Sequence, residues 1–174
     1  MKHTLTLTTE HLLLLPLGEE HIESLRLLRN RPENRVWFFD SAEITPEQQK
    51  AWFASQQTVE GDYMFAVFSK QDPGVFLGAV AIYHYNREES SFEVGRLLLD
   101  AKRVPARGLG KELISAACKI GFELLHAKHL YAEVFADNER SLACCTENGF
   151  TVTGEKALHG KHILVLERRA ITTH

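Results

Sequence analysis

The sequence is poor in cysteine and has no long apolar run. Its three cysteines are Cys118, Cys144 and Cys145, an odd number, and adjacent cysteines rarely pair with each other. We therefore expect no disulfide framework and a reducing, cytoplasmic location. The longest purely apolar run near the start, residues 12–15, is far too short to span a bilayer, and no signal-peptide pattern precedes it. These absences predict a protein without membrane association.

Charge of either sign is also not in strong excess. The chain has 20 Lys and Arg against 23 Asp and Glu, a formal net charge of -3. Without a basic surplus, nucleic acid is not expected as the main partner. His126 and His129 lie three positions apart, as do His159 and His162, but no carboxylate or cysteine completes either set. The sequence therefore predicts no metal site.

No repeat, low-complexity segment or linker divides the 174 residues, so we expect residues 1–174 to form one domain, as a monomer or homodimer. Alternation and helical periodicity predict an α/β (α+β) fold, with a mixed, mostly antiparallel sheet of about seven strands and helices on both faces. A helix between two late strands predicts one parallel pair. The predicted strands cover residues 12–17, 63–68, 75–85, 91–99, 129–135, 150–153 and 163–166.

A glycine pair precedes the longest amphipathic stretch, in the segment RVPARGLGKEL (103–113). Gly108 and Gly110 would let an anion such as pyrophosphate approach the N–H groups that begin a helix, and Arg107 and Lys111 add positive charge. A simple helix-entry turn is the alternative. A Walker loop is excluded because Glu112 follows Lys111, and a Rossmann fingerprint is excluded because a third glycine is missing.

Two phrases together resemble the GCN5-related N-acetyltransferases (GNAT). The first is EVGRLLLDAKRVPARGLGKELISAA (93–117), where Gly108 and Gly110 match the small positions of the family pattern [QR]-x-x-G-x-[GA]. The second is YAEVFADNERSLACCTENGF (131–150), which is similar to N-x-x-A-[IL]-x-x-Y-E-K-x-G-F. Its matching residues are Asn138, Ser141, Leu142, Gly149 and Phe150. The sequence departs from these patterns at Pro105, in place of Gln or Arg, and at Cys145, in place of Tyr.

The resemblance implies acetyl-CoA as the co-substrate and a primary amine as the acceptor, which attacks directly in a ternary complex. It places the pyrophosphate on the N–H groups of Arg107, Gly108, Leu109, Gly110 and Lys111, with Arg103 close by. It places the pantetheine amides along Leu97, Leu98 and Leu99, with the Leu98 N–H as an oxyanion donor. Asn138 would bind the pantetheine arm, although an asparagine there also serves as a helix N-cap.

The chemistry needs two roles, a general base and a proton donor for the leaving thiolate. Deprotonating an amine at pH 7 costs roughly 4–5 kcal/mol on the lysine reference value, so a general base is expected. Glu93 is the first candidate and Glu133 the second; each could instead be an ordinary strand carboxylate. Cys145 could protonate the leaving thiolate in place of the usual tyrosine, or could be a small buried hydrophobe.

The acceptor side is predicted in the segment RNRPENRVWFFDSAEITPEQQKAWF (29–53). Asn30, Trp37 and Ser41 are the candidate acceptor-binding residues, and the aromatic run 37–39 would either wall a pocket or, for at least two rings, pack helices on the sheet. The segment resembles the ribosomal-protein and nucleotide-amino-sugar branches of the family. A small amine, an amino sugar or a protein N-terminus therefore remains open as acceptor. A catalytically weak acyl-CoA-binding module is the alternative function.

Overall fold

The computed structural model describes residues 3–104 and 106–171, so Pro105 lies outside the described residues. Five α-helices occur within these residues: α1 (Ile22–Asn30), α2 (Pro32–Arg35), α3 (Pro46–Gln56), α4 (Leu109–Lys119) and α5 (Glu139–Thr146). A 3-10 turn, Glu19–His21, leads into α1, and a π-helical turn, Ile120–Leu124, continues α4. None of the described helices is long and apolar enough to cross a membrane.

Eight strands form one sheet in the described part of the chain, in the order β1-β2-β3-β4-β5-β6-β8-β7. All neighbours are antiparallel except β5 and β6, which are parallel and joined through α4. The mixed, mostly antiparallel sheet and its single parallel pair are confirmed. The strands are β1 (Leu7–Thr8), β2 (Leu12–Pro16), β3 (Tyr63–Ser69), β4 (Phe76–Asn86), β5 (Ser91–Leu99), β6 (His129–Phe135), β7 (Thr151–Leu158) and β8 (Lys161–Arg169).

Four elements were missed or predicted too short. The two-residue strand β1 was missed because two residues carry no periodicity. Strand β7 was predicted only at 150–153, because it is an exposed edge strand without an apolar alternation. Its neighbour β8 was predicted only at 163–166 and is also about twice as long. The short helix α2 was not predicted; it begins directly after Arg31 with Pro32 in the first turn, a position that proline favours.

The helices pack on opposite faces of the sheet, as expected. On one face, α4 and α5 bury Leu109, Leu113 and Cys145 against inward residues of the strands such as Phe65. On the other face, α1 and α3 cover the alternate strand residues, including Met64 and Ala66. Because successive strand residues point to opposite faces, each strand contributes to both cores.

Candidate functional site

A cleft opens where the two parallel strands separate. β5 and β6 pair only from Ser91 to Glu93 on one strand and from His129 to Tyr131 on the other. Beyond this point the strands diverge, and a cavity of about 830 Å³ lies between residues 94–99 and residues 132–135. Strand backbone that would have paired across the gap faces the cavity instead, and can accept an extended ligand.

Strand β5 contains a bulge inside this cleft. Gly95 pairs with Ala81 and Leu98 pairs with Ala79, so Arg96 and Leu97 together oppose the single intervening residue of β4. Arg96 has a φ of 47°, in the left-handed region that non-glycine residues rarely occupy. The bulge changes the direction of the backbone at the predicted pantetheine-binding residues Leu97, Leu98 and Leu99, all of which line the cleft.

The Arg96 side chain holds the bulge from the α3 side of the sheet. Its Nη1 donates to both carboxylate oxygens of the buried Asp62, at 3.0 and 2.8 Å. The guanidinium also lies 4.1 Å from the centre of the Tyr83 ring. This ion pair was not predicted, because Asp62 directly precedes β3, Arg96 lies in β5, and no sequence motif joins them.

Glu93 stands at the point where the strands part. Its side chain is only 6% exposed. The Tyr83 hydroxyl donates to Oε1 at 2.7 Å, and His84 Nδ1 lies 2.7 Å from Oε2. Burial, followed by the Glu93 charge, raises the pKa of Tyr83 well above its usual range. The predicted base is therefore a buried carboxylate with two defined partners, and neither partner was predicted.

The second candidate base, Glu133, also lines the cleft from β6. Lys156 Nζ lies 2.6 Å from its Oε1, and the Glu133 side chain is 17% exposed. The Glu133 carboxylate is engaged in an ion pair with a lysine, whereas Glu93 is held by the Tyr83 hydroxyl and the His84 imidazole. The geometry thus favours Glu93 over Glu133.

Gly108 and Gly110 meet different structural requirements of the loop. Gly108 has a φ of 82° and caps α4, and a Cβ built on it would meet nothing within 4 Å. Gly110 has ordinary helical backbone, but a Cβ there would lie 3.1 Å from Cys144 Sγ on α5. Gly108 therefore serves the turn and leaves open space before the helix, whereas Gly110 permits close packing of α4 on α5.

The N-terminus of α4 carries the donors expected for an anion site. Its first backbone hydrogen bond runs from the Glu112 N–H to the Gly108 carbonyl, at 3.1 Å. The N–H groups before Glu112 precede the first intrahelical bond, as at any helix start. Arg107 is exposed beside them, whereas Lys111 is ion-paired to Glu147 at 3.1 Å. Of the six predicted residues in this loop, only Gly110 is part of the cleft lining. The others are Arg103, Arg107, Gly108, Leu109 and Lys111.

Asn138 and Cys145 both line the cleft from the α5 side. Asn138 Oδ1 accepts from the Ser141 N–H at 3.1 Å, so the N-cap is formed and the amide nitrogen remains as a donor. Cys145 is 1% exposed. Burial, with smaller effects of Cys144 and Cys118, raises the pKa of its thiol to about 12.

The aromatic run Trp37, Phe38 and Phe39 lines the acceptor side of the cleft. Phe38 packs on the α1 core, whereas Trp37 and Phe39 are 44% and 40% exposed. Phe39 meets Phe135 of β6 edge-to-face at 5.2 Å, which closes this side of the cleft.

The two other acceptor-side candidates lie away from the cleft lining. Both polar atoms of the Asn30 amide are hydrogen-bonded to Ile44. Nδ2 donates to the Ile44 carbonyl at 2.7 Å, and Oδ1 accepts from the Ile44 N–H at 2.9 Å. Asn30 therefore ties the end of α1 to the segment before α3. Ser41 is exposed on the same segment. Among the residues that the structure describes, no cluster of three or more His, Cys, Asp or Glu could hold a metal ion.

Comparisons with known proteins agree with this architecture. The acetyltransferase (GNAT) domain model matches residues 11–151. Spermidine N-acetyltransferase from Vibrio cholerae, in complex with CoA and spermine, superimposes with a TM-score of 0.82 at 17% identity, over 92% of this chain and 96% of that chain. Ribosomal-protein-S5-alanine acetyltransferase from Vibrio fischeri gives a TM-score of 0.78 at 17% identity, over 95% and 96%. FdhC, a nucleotide-linked sugar GNAT, gives 0.79 at 18% identity, over 96% and 91%. No curated protein matches the sequence.

Proposed function

Because the chain belongs to the acetyltransferase (GNAT) family, we propose that it is an N-acetyltransferase that moves an acetyl group from acetyl-CoA to a primary amine. The observation that carries the proposal is the buried Glu93 carboxylate at the point where β5 and β6 part. It stands between an open strand backbone on one side and an aromatic-walled cavity on the other, where a thioester and an amine can meet.

Acetyl-CoA fits the half of the cleft between β5, α4 and α5. The open edge of β5 offers backbone groups to the pantetheine amides. The Asn138 amide nitrogen offers a further donor from the start of α5. The pyrophosphate is assigned to the N–H groups that begin α4, with Arg107 as the nearby exposed cation. The bulge at Arg96 turns the backbone at Leu97 and Leu98, so that an N–H there can polarise the thioester carbonyl.

Glu93 is proposed to take the proton of the acceptor ammonium. Its neighbours Phe92 and Val94 belong to the core on the α4 face, so Glu93 points to the opposite face, together with Tyr83. The acceptor would therefore enter from the side of α1 and the aromatic run. Tyr83 retains its proton and orients the carboxylate, and each carboxylate oxygen keeps a further lone pair for the amine.

The leaving CoA thiolate needs a proton from elsewhere. A thiol with a pKa of about 12 is a weak donor, so the environment of Cys145 argues against the predicted acid role. Water at the open end of the cleft is the alternative donor. The same substitution of Cys for Tyr supports the second candidate function, an acyl-CoA-binding module without turnover.

The experiment is an acetyl-CoA turnover assay, read as released thiol, against a panel containing a polyamine, an amino sugar and a peptide with a free N-terminus. We expect amine-dependent thiol release, and a loss of roughly 10²–10⁴-fold in Glu93→Gln, the range for a side-chain base, with acetyl-CoA binding retained in calorimetry. Binding without turnover of any amine favours the module. An absence of binding heat contradicts both functions.

A matched pair of variants tests the α4 site itself. Gly108 and Gly160 both have positive φ, of 82° and 75°, and neither has a neighbour within 4 Å of a built Cβ. Glutamate at either position imposes the same backbone strain, but only Gly108→Glu places a carboxylate before α4. We expect acetyl-CoA binding to be lost in Gly108→Glu and kept in Gly160→Glu. Equal acetyl-CoA affinities in the two variants would show that the pyrophosphate does not bind at the N-terminus of α4.

A further inference from the structure

The two groups that hold Glu93 differ in their access to solvent. Tyr83 is 8% exposed and lines the cleft. The His84 side chain is 62% exposed and lies outside the cleft lining, although its Nδ1 is 2.7 Å from Glu93 Oε2. The pair Glu93–His84 therefore runs from the inside of the cleft to the outer surface of the sheet.

This contact exists only because β4 is irregular at His84. Neighbouring residues of a strand point to opposite faces, so Tyr83 and His84 should not reach the same carboxylate. Tyr83 pairs with Glu93 and Asn86 with Ser91, so two residues of β4, His84 and Tyr85, oppose the single residue Phe92. His84 has a φ of 51°, and Tyr85 stacks on Phe92 on the α4 face.

The irregularity costs free energy, because a non-glycine residue in the left-handed region has a strained backbone. Such strain often marks a functional position. Here the strained backbone directs the His84 imidazole towards the buried carboxylate of Glu93, the proposed base. Imidazole is the side chain best suited to accept and release protons near neutral pH.

We propose that His84 carries the proton taken up by Glu93 from the cleft to solvent; this inference rests on the proposed acetyl transfer. The ammonium of the acceptor gives its proton to the Glu93 carboxylate. At rest the His84 Nδ1–H donates to the Glu93 carboxylate. Once Glu93 is protonated, exchange of ring tautomers through water moves the ring proton to Nε2, and the carboxylic acid passes its proton to the freed Nδ1, which restores the carboxylate. The imidazolium then gives its Nε2 proton to water, and His84 is left with the Nδ1–H it had at the start.

The other groups around the pair do not offer such a path. Tyr83 holds its proton, since burial raises its pKa. Arg96 stacks on the Tyr83 ring and is ion-paired to Asp62. Tyr131 stands opposite Glu93 on β6, and burial and the Glu93 charge raise its pKa to about 12.

His84→Asn is the decisive variant. Asparagine tolerates positive φ and can donate a hydrogen bond to Glu93, but it cannot relay a proton. We expect kcat to fall by roughly a hundredfold, the low end of the range for side-chain proton transfer, with the KM for acetyl-CoA and the melting temperature unchanged. His159→Asn is the matched control, because His159 is also exposed with a φ of 50°, in the β7–β8 turn.

His84→Gly gives a second readout that a structural role would not produce. Glycine relieves the strained backbone and leaves an open path to Glu93, so added imidazole should restore turnover in a concentration-dependent manner. Wild-type kcat in His84→Asn, or a slow His84→Gly that imidazole does not restore, would overturn the relay while leaving acetyl transfer intact. A wild-type protein without turnover of any amine would overturn the proposed function and the relay together.

Discussion

Arg31 donates from both Nη atoms to the two carboxylate oxygens of Asp100, at 2.7 and 2.9 Å. Arg31 separates α1 from α2 on the acceptor side, whereas Asp100 directly follows β5 and begins the loop that leads to α4. Asp100 Oδ1 also accepts from the Lys102 N–H, at 3.1 Å. A single buried carboxylate thus joins the acceptor side of the cleft to the proposed coenzyme loop.

Asp100→Asn should therefore weaken both sides of the site. The variant loses the charge of a paired group, which we expect to lower the free energy of unfolding by about 1–3 kcal/mol. It should also raise the KM for acetyl-CoA and for the amine together, measured by steady-state kinetics. Glu33→Gln is the control, since the Glu33–Lys102 pair is exposed on both sides. Loss of affinity for only one substrate would show that Asp100 does not couple the two sides.

The same pair predicts how stability depends on pH. The hydrogen bonds from Arg31 lower the pKa of Asp100 below its ordinary value of 3.8, although burial acts in the opposite direction. A lowered carboxyl pKa stabilises the folded protein above the ordinary value, and this contribution is lost as the pH falls through the folded value. The stability difference between the wild type and Asp100→Asn should shrink between about pH 5 and pH 2. Urea titrations at several pH values measure it, and a constant difference would contradict the assignment.

Gly110 should be energetically coupled to Cys144. Alanine is a better helix former than glycine by about 1 kcal/mol, but its Cβ at position 110 would lie 3.1 Å from Cys144 Sγ. We expect Gly110→Ala to gain about 0.5–1 kcal/mol more stability in a Cys144→Ala background than in the wild type. A double-mutant cycle by denaturant unfolding measures this coupling. Additive effects would mean that helix packing does not explain the glycine.

Cys145→Ala tests the acid role directly. If water protonates the CoA thiolate, kcat should stay within about twofold of the wild type, whereas a side-chain acid contributes roughly 10²–10⁴-fold. Cys118→Ala is the matched control, because Cys118 is an equally buried thiol outside the cleft lining. A large fall in kcat for Cys145→Ala alone would restore Cys145 as the proton donor.

Several elements could be predicted because their causes are local. The strands 91–99 and 129–135 were predicted at their observed bounds from apolar, β-branched composition. The Asn138 cap depends on groups within three positions of one another. Several candidate site residues were selected from short motifs in the sequence. Among them, the following line the cleft: Glu93, Leu97 to Leu99, Gly110, Asn138 and Trp37.

The sequence by itself thus determined the order of the longer strands and helices, the family pattern and the candidate base, since each depends on residues close together in the chain. Only the tertiary structure decided that β5 and β6 part after Glu93, that His84 shares a carboxylate with Tyr83, and that Arg31 meets Asp100 across 69 positions. The physical reason is strand register. A bulge of one residue reverses which face a side chain occupies, and no local pattern encodes where that residue is inserted.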